Sequence, residues 1–141
     1  MAFCITQKVL FKHCDPAGIV FYPRYFEMIN DLVQVFFRDA LKYPFETIHK
    51  TNGVPTVEIS IKFPAASRHG DILDICLEPQ KIGRTSCNIN ITAQCDNHIR
   101  FLSSLTLVHV NDEGRPSCWP EFVFEQITKF INERENQTMD L

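Results

Sequence analysis

The stretch YPRYFEMINDLVQVFFRDAL, residues 22–41, decides how the rest of the chain must be arranged. At about 100° per residue, Tyr25, Phe26, Ile29, Leu32, Val33, Phe36 and Ala40 share one face. Arg24, Glu27, Asn30, Asp31, Gln34 and Arg38 share the opposite one, and Met28 and Val35 widen the apolar side. A wide, aromatic face on a helix this long predicts packing against a sheet. Pro23 suits the first helical turn, where its missing N–H leaves no bond unmade.

The flanking sequence supplies that sheet. Ile5 to Phe11 reads as a first strand, and a Tyr43-Pro44 break after the helix opens a polar connection to Gly53. VPTVEISIKF, residues 54–63, alternates with Val57, Ile59, Ile61 and Phe63 on one side and Glu58, Ser60 and Lys62 on the other. Further strands are expected at Ile72–Pro79, Arg84–Cys95 and Arg100–Val110. Trp119 to Arg134 reads as a closing short helix, with a polar, frayed tail from about residue 135. The order predicts an α+β fold over a single domain, residues 1–141: one long helix covered by a mainly antiparallel sheet. The edges of such a sheet must be paired or protected, and a second copy of the chain is a common solution.

Composition narrows the function classes. The 141 residues are 45% hydrophobic and 22% charged, with a formal net charge of −3. That charge gives no reason to expect nucleic acid or an anionic membrane as a partner. No span of about twenty apolar residues occurs, and MAFCITQKVL is too short an apolar run for a signal peptide. A cytoplasmic protein is expected. The six cysteines (4, 14, 76, 87, 95 and 118) include no C-x-x-C pair, so no metal site is expected, and most are expected to be buried free thiols.

Ahead of the helix stands HCDPAGIVF, residues 13–21. Asp, Pro and Gly make Asp15–Gly18 a turn. Its position adds a second meaning, because a helix start presents unsatisfied N–H donors and about half a positive charge. Asp15 and the backbone N–H near Tyr22 would then pair a carboxylate with an oxyanion site, a combination suited to attack on an acyl group. A carboxylate is ionised at neutral pH and needs no activating base. Cys14 beside His13 is the weaker alternative, since neighbours in an extended segment point to opposite sides. His49, His69, His98 and His109 are expected to be solvated, and no G-x-S-x-G elbow or phosphate-binding loop is present.

DPAGIVFYPRYFEM, residues 15–28, resembles the signature of the 4-hydroxybenzoyl-CoA thioesterase family of hotdog-fold enzymes. The resemblance implies a long central helix wrapped by a five- to six-stranded antiparallel sheet. It implies Asp15 as catalytic nucleophile or base and the Tyr22 N–H as the oxyanion donor. Gly18, Phe21 and Tyr25 would lie against the substrate. Homodimers paired into homotetramers are implied, with the second wall of each site, Thr56, Val57 and Glu58, coming from a neighbour. Lys81, Arg84 and Ser86, and secondarily Arg68 and His69, would hold the coenzyme A phosphates. The implied activity is hydrolysis of an aromatic or short- to medium-chain acyl-CoA, with coenzyme A entering as part of the substrate and no other cofactor. The alternative on the same fold is a non-catalytic module that binds an acyl-CoA or an acyl carrier protein.

Overall fold

The computed structural model describes residues 2–139. In chain order its elements are β1 (Phe3–Lys8), a 3-10 turn (Phe11–His13), α1 (Pro23–Val35), a π-helical turn (Phe36–Ala40) and α2 (Phe45–Ile48). They continue with β2 (Asn52–Gly53), β3 (Thr56–Lys62), β4 (Ile72–Ile82), β5 (Ser86–Cys95), β6 (His98–Val108), β7 (Val110–Asn111) and α3 (Glu121–Met139). Five strands form one antiparallel sheet in the order β1-β4-β5-β6-β3, and β2 pairs with β7 in a small two-stranded ladder. This is the α+β hotdog arrangement.

The helix buries the face its period marked. Tyr25, Ile29, Leu32, Val33 and Phe36 are buried, and Met28 joins them. They meet Leu73, Ile75, Leu77, Ile89, Ile91, Phe101, Leu105 and Leu107 from alternate positions of the central strands. The helix does not keep one period to Leu41. The Leu41 N–H donates to the Phe36 carbonyl at 3.1 Å, five residues back, and this wider turn lets adjacent Phe36 and Phe37 both enter the core.

Three further differences from the sequence expectation have local causes. In β3 a bulge between Thr56 and Glu58 takes Val57 out of line with Ile59 and leaves it 60% exposed. The connection after Pro44 contains α2, whose Ile48 is buried. The last helix runs on to Met139, past Arg134 and through most of the tail expected to fray; residues 140 and 141 lie outside the described ones.

Cysteines 14, 87, 95 and 118 are free thiols, two of them buried. Cys4 and Cys76 are instead joined in a disulfide, at directly opposed positions of β1 and β4. No helix among the described residues is long and apolar enough to cross a membrane.

Candidate active site

The Asp15 loop is a closed device. Antiparallel bonding folds residues 13–21 back on themselves: Phe21 N–H donates to the His13 carbonyl (2.9 Å) and Asp15 N–H to the Ile19 carbonyl (3.0 Å). At the tip, Gly18 N–H donates to the Asp15 carbonyl, and Asp15 Oδ1 accepts from Ala17 N–H at 2.9 Å. Gly18 has φ +80 and nothing within 4 Å of where a Cβ would stand, so glycine is required there by conformation and not by space. Asp15 lies two rungs beyond the His13–Phe21 pair, roughly 7 Å along the ladder, and α1 begins immediately after Phe21.

The helix start supplies the second half of the site. Tyr22 is the residue before α1 and Pro23 is its first residue. Arg24 and Tyr25 donate to the Phe21 and Tyr22 carbonyls, and Phe21 is bonded to His13. Pro23 has no N–H. The Tyr22 N–H therefore has no partner among the described residues, at the positive end of a long helix. Such a donor suits an oxygen on which charge develops.

Behind the loop is a buried support that no sequence motif marks. Ser67 is 0% exposed; its carbonyl accepts from Val20 N–H (2.8 Å) and its Oγ accepts from the Tyr25 hydroxyl (2.7 Å). Burial pushes the Tyr25 hydroxyl above its ordinary pKa, which keeps it a donor. Arg100 fixes the same segment, with Nη1 donating to the Ala66 carbonyl and to Asp71 Oδ2, both at 2.8 Å. Asp71 also accepts from the Arg68 N–H, and these bonds outweigh its partial burial and hold its carboxyl below the usual range.

His13 is buried beside the loop, not on the surface. Its Nδ1 accepts from Leu10 N–H at 2.9 Å; burial, aided by the Lys12 charge, lowers its pKa. Its neighbour Cys14 is half-buried, and no Cys–His hydrogen bond forms. His109 is buried as well, against the expectation of a solvated ring. It contacts the Tyr43 hydroxyl at 2.9 Å and the Ser117 carbonyl at 3.1 Å, and its ring lies on Trp119.

Two cavities flank the pair. One of about 440 Å³ is lined by Phe11, Cys14, Asp15, Pro16, Gly18 and His69. The other, about 400 Å³, runs between α1 and β3, lined by Phe26, Ile29, Asn30 and Val33 from the helix and by Thr56 and Ile59 from the strand. The Tyr22 ring touches those of Phe26 and Phe63, so the second cavity starts one helical turn beyond the Tyr22 N–H.

A family model, the thioesterase superfamily, matches residues 17–101, more than half of the chain. The chain belongs to the thioesterase superfamily. The matched span starts two residues past Asp15 and includes Gly18 and Tyr22. Several solved thioesterase-fold proteins superpose over most of their length. A 1,4-dihydroxy-2-naphthoyl-CoA thioesterase from Synechocystis gives a TM-score of 0.83 at 16% identity, covering 91% of this chain and 96% of that one. A gentisyl-coenzyme A thioesterase gives 0.81 at 24% identity, covering 89% and 99%. A Staphylococcus aureus protein solved in complex with CoA gives 0.85 at 16%, covering 94% and 85%. At these identities the likeness carries the fold. No curated protein matches the chain.

Within this thioesterase-superfamily protomer the expected site residues fall into two groups. Asp15, Gly18, Phe21, Tyr22, Arg68 and His69 come together: Ile19 bridges to Arg68, and His69 lines the Asp15 cavity. Tyr25 is near them but 3% exposed, a support behind the loop and not an open wall. Lys81, Arg84 and Ser86 sit at the other end of β4 and β5, about 30 Å along the sheet at 3.3 Å per residue. Arg84 Nη1 contacts Cys118 Sγ at 3.2 Å there. Thr56, Val57 and Glu58 are at that same far end, since Thr56 and Cys87 both register with Leu107. Sequence reasoning missed Ser67, Asp71, Arg100 and Phe11.

Proposed function

We propose that this thioesterase-superfamily chain hydrolyses the thioester of an acyl-CoA whose acyl group is apolar and aromatic or short to medium in length. The observation that carries the proposal is the unpartnered Tyr22 N–H standing at the helix start beside the Asp15 loop. In this reading the thioester oxygen takes the Tyr22 N–H, and Asp15 acts on the carbonyl carbon. It either adds to the carbon, giving a mixed anhydride that water then opens, or takes the proton of an attacking water. Coenzyme A leaves as the thiol. The cavity along α1 supports the choice of acyl group: its walls are chiefly Phe, Ile, Val and Leu, with Asn30 and Thr56 as its polar side chains.

A second protomer belongs to the proposal. β3 is an edge strand carrying exposed Val57, Ile59 and, just beyond it, Phe63, an edge that invites pairing. Two-fold antiparallel pairing through β3 would bring the partner copy's Thr56–Glu58 end beside this protomer's Phe63 and Tyr22. It would carry the far end of the sheet, with Lys81, Arg84 and Ser86, toward the same side. The two groups of site residues would then belong to one site made by two chains. A pair of such dimers is the proposed tetramer.

Thiol release from a panel of aromatic and aliphatic acyl-CoAs, on wild type and Asp15→Asn, tests the proposal. Asn can still accept from Ala17 N–H, so the turn is kept while the carboxylate is lost. Loss of at least about hundredfold in kcat is expected. An equally active variant would remove Asp15 from the chemistry, and binding of acyl-CoA without turnover by both would favour the binding-module alternative. Single turnover in oxygen-18 water tests the nucleophile role: label in Asp15 requires an anhydride opened by water at the Asp15 carbonyl, which direct attack alone never forms.

A further inference from the structure

We propose that Arg100 is a positioning residue for the Asp15 carboxylate, acting through the loop of residues 66–71 that it clamps. The assignment rests on the thioester-hydrolase reading and adds to it a residue that has no bond to Asp15 itself. Ala93 registers with Phe101 and Gln94 with Ile99, so Arg100 is the extra residue of a bulge in β6. A bulge re-aims a side chain out of the regular ladder, and the Arg100 side chain reaches the loop between β3 and β4. Its Nη1 donates to the Ala66 carbonyl and to Asp71 Oδ2, both at 2.8 Å. The loop is gripped at both of its ends.

The clamped loop in turn holds both limbs of the Asp15 segment. On the incoming limb, Val9 N–H donates to the Asp71 carbonyl (2.7 Å), and the Val9 carbonyl accepts from Gly70 N–H (2.9 Å). On the outgoing limb, Val20 N–H donates to the Ser67 carbonyl (2.8 Å), and Ile19 bridges to Arg68. The Ile19 carbonyl is the one that takes the Asp15 N–H. The chain of contacts therefore runs from the guanidinium to the loop, from the loop to Ile19, and from Ile19 to Asp15. The Arg100 and Asp71 side chains are 13% and 29% exposed, and Arg100 Nε is buried with no partner among the described residues. Desolvation offsets much of the attraction in a pair this far from water, and the unbonded N–H adds to the cost. What the pair contributes is the place of the loop. A shift of about 1 Å at a reacting group can lower a rate about hundredfold, so holding that place bears directly on turnover.

Thiol release and amide hydrogen exchange test this on wild type, Arg100→Gln and Arg100→Lys, each below its own unfolding transition. Arg115→Gln is the control, because its pair with Glu113 is 79% and 72% exposed. Asp71→Asn, which keeps one oxygen for the Arg68 N–H, gives the same test should Arg100→Gln not fold. Arg100→Gln is expected to lower kcat about ten- to hundredfold while KM stays within about twofold of wild type. Exchange should quicken over residues 9–21 and stay as in wild type over β5. Arg100→Lys, which keeps a cationic donor, should recover part of the rate, and Arg115→Gln should match wild type. Added to Asp15→Asn, Arg100→Gln should cost nothing further, since a residue that acts through Asp15 then has no carboxylate to place. An unchanged kcat, a loss that repeats in full on Asp15→Asn, or unchanged exchange over residues 9–21 would overturn the assignment. Faster exchange in Arg100→Gln with no turnover by wild type would sustain the clamp and sink the hydrolase reading; turnover that Arg100→Gln keeps in full would do the reverse.

Discussion

Tyr25→Phe separates a support role from a substrate-contact role for the residue. The substitution keeps the ring, so its stacking on Phe63 at 5.5 Å and its edge contact with Phe101 at 5.3 Å stay. It deletes the donor of the 2.7 Å bond to Ser67, leaving a hydroxyl that is 0% exposed without that partner. A buried group stranded in this way costs about 1–3 kcal/mol. At this chain length each kcal/mol moves Tm by about 3–4 °C, so a fall of about 3–12 °C is expected. Ser67→Ala strands the Tyr25 hydroxyl instead and should cost a similar amount. The double variant removes both partners, and its loss should fall short of the sum by about 1 kcal/mol or more. Denaturant unfolding of all four proteins at one protomer concentration reads the cycle, since association would otherwise shift apparent stability. Additive losses would refute the coupling. A Tyr25→Phe protein that unfolds with wild type yet raises KM for acyl-CoA would return the hydroxyl to substrate binding.

Gly18→Ala is expected to destabilise by about 1–2 kcal/mol, because φ +80 is left-handed backbone that a Cβ opposes. Gly18→Asn should lose less, and equal melting of all three would show that the loop relaxes. His13 adds a pH dependence of defined sign: burial lowers its folded pKa, so the unfolded chain takes the proton first. Stability should therefore fall as pH drops below the ordinary histidine range near 6.5 and be level above it. His13→Gln should show a smaller difference between pH 7.5 and pH 5 by chemical unfolding, and an unchanged difference would assign the effect to other groups. Val57→Lys on the exposed edge strand should convert the proposed dimers to monomers in sedimentation and lower thiol release with them. A fully dimeric, fully active variant would place the interface elsewhere.

The elements were legible because their signals are local. A 3.6-residue period over residues 22–36 and alternation over residues 54–63 each depend on neighbours in the chain alone. What was not legible depends on contacts made across it. Phe37 falls off the 100° face, and only the wider π turn at Phe36–Ala40 brings it to 1% exposure. Val57 fits a perfect alternation, yet its strand is bulged against β6. His109 looks like a strand-end residue until Tyr43, 66 positions earlier, and Trp119 close over it. Ser67 carries no motif; it matters because Val20 and Tyr25 both reach it.

The turn reading and the site reading of Asp15-Pro16-Ala17-Gly18 are parts of one arrangement. Turn chemistry occupies one carboxylate oxygen, Oδ1, with the Ala17 N–H, and no protein donor among the described residues reaches Oδ2. The left-handed Gly18 reverses the chain, and the Phe21-to-His13 bond delivers it to the helix start. Pro23 then removes the next N–H, so the Tyr22 N–H stands without a partner among the described residues. Asp15→Asn is therefore the informative substitution: it keeps the Ala17 bond and the loop, and it deletes only the charge. A stable, correctly folded and inactive Asp15→Asn protein is the outcome that turn chemistry alone cannot produce.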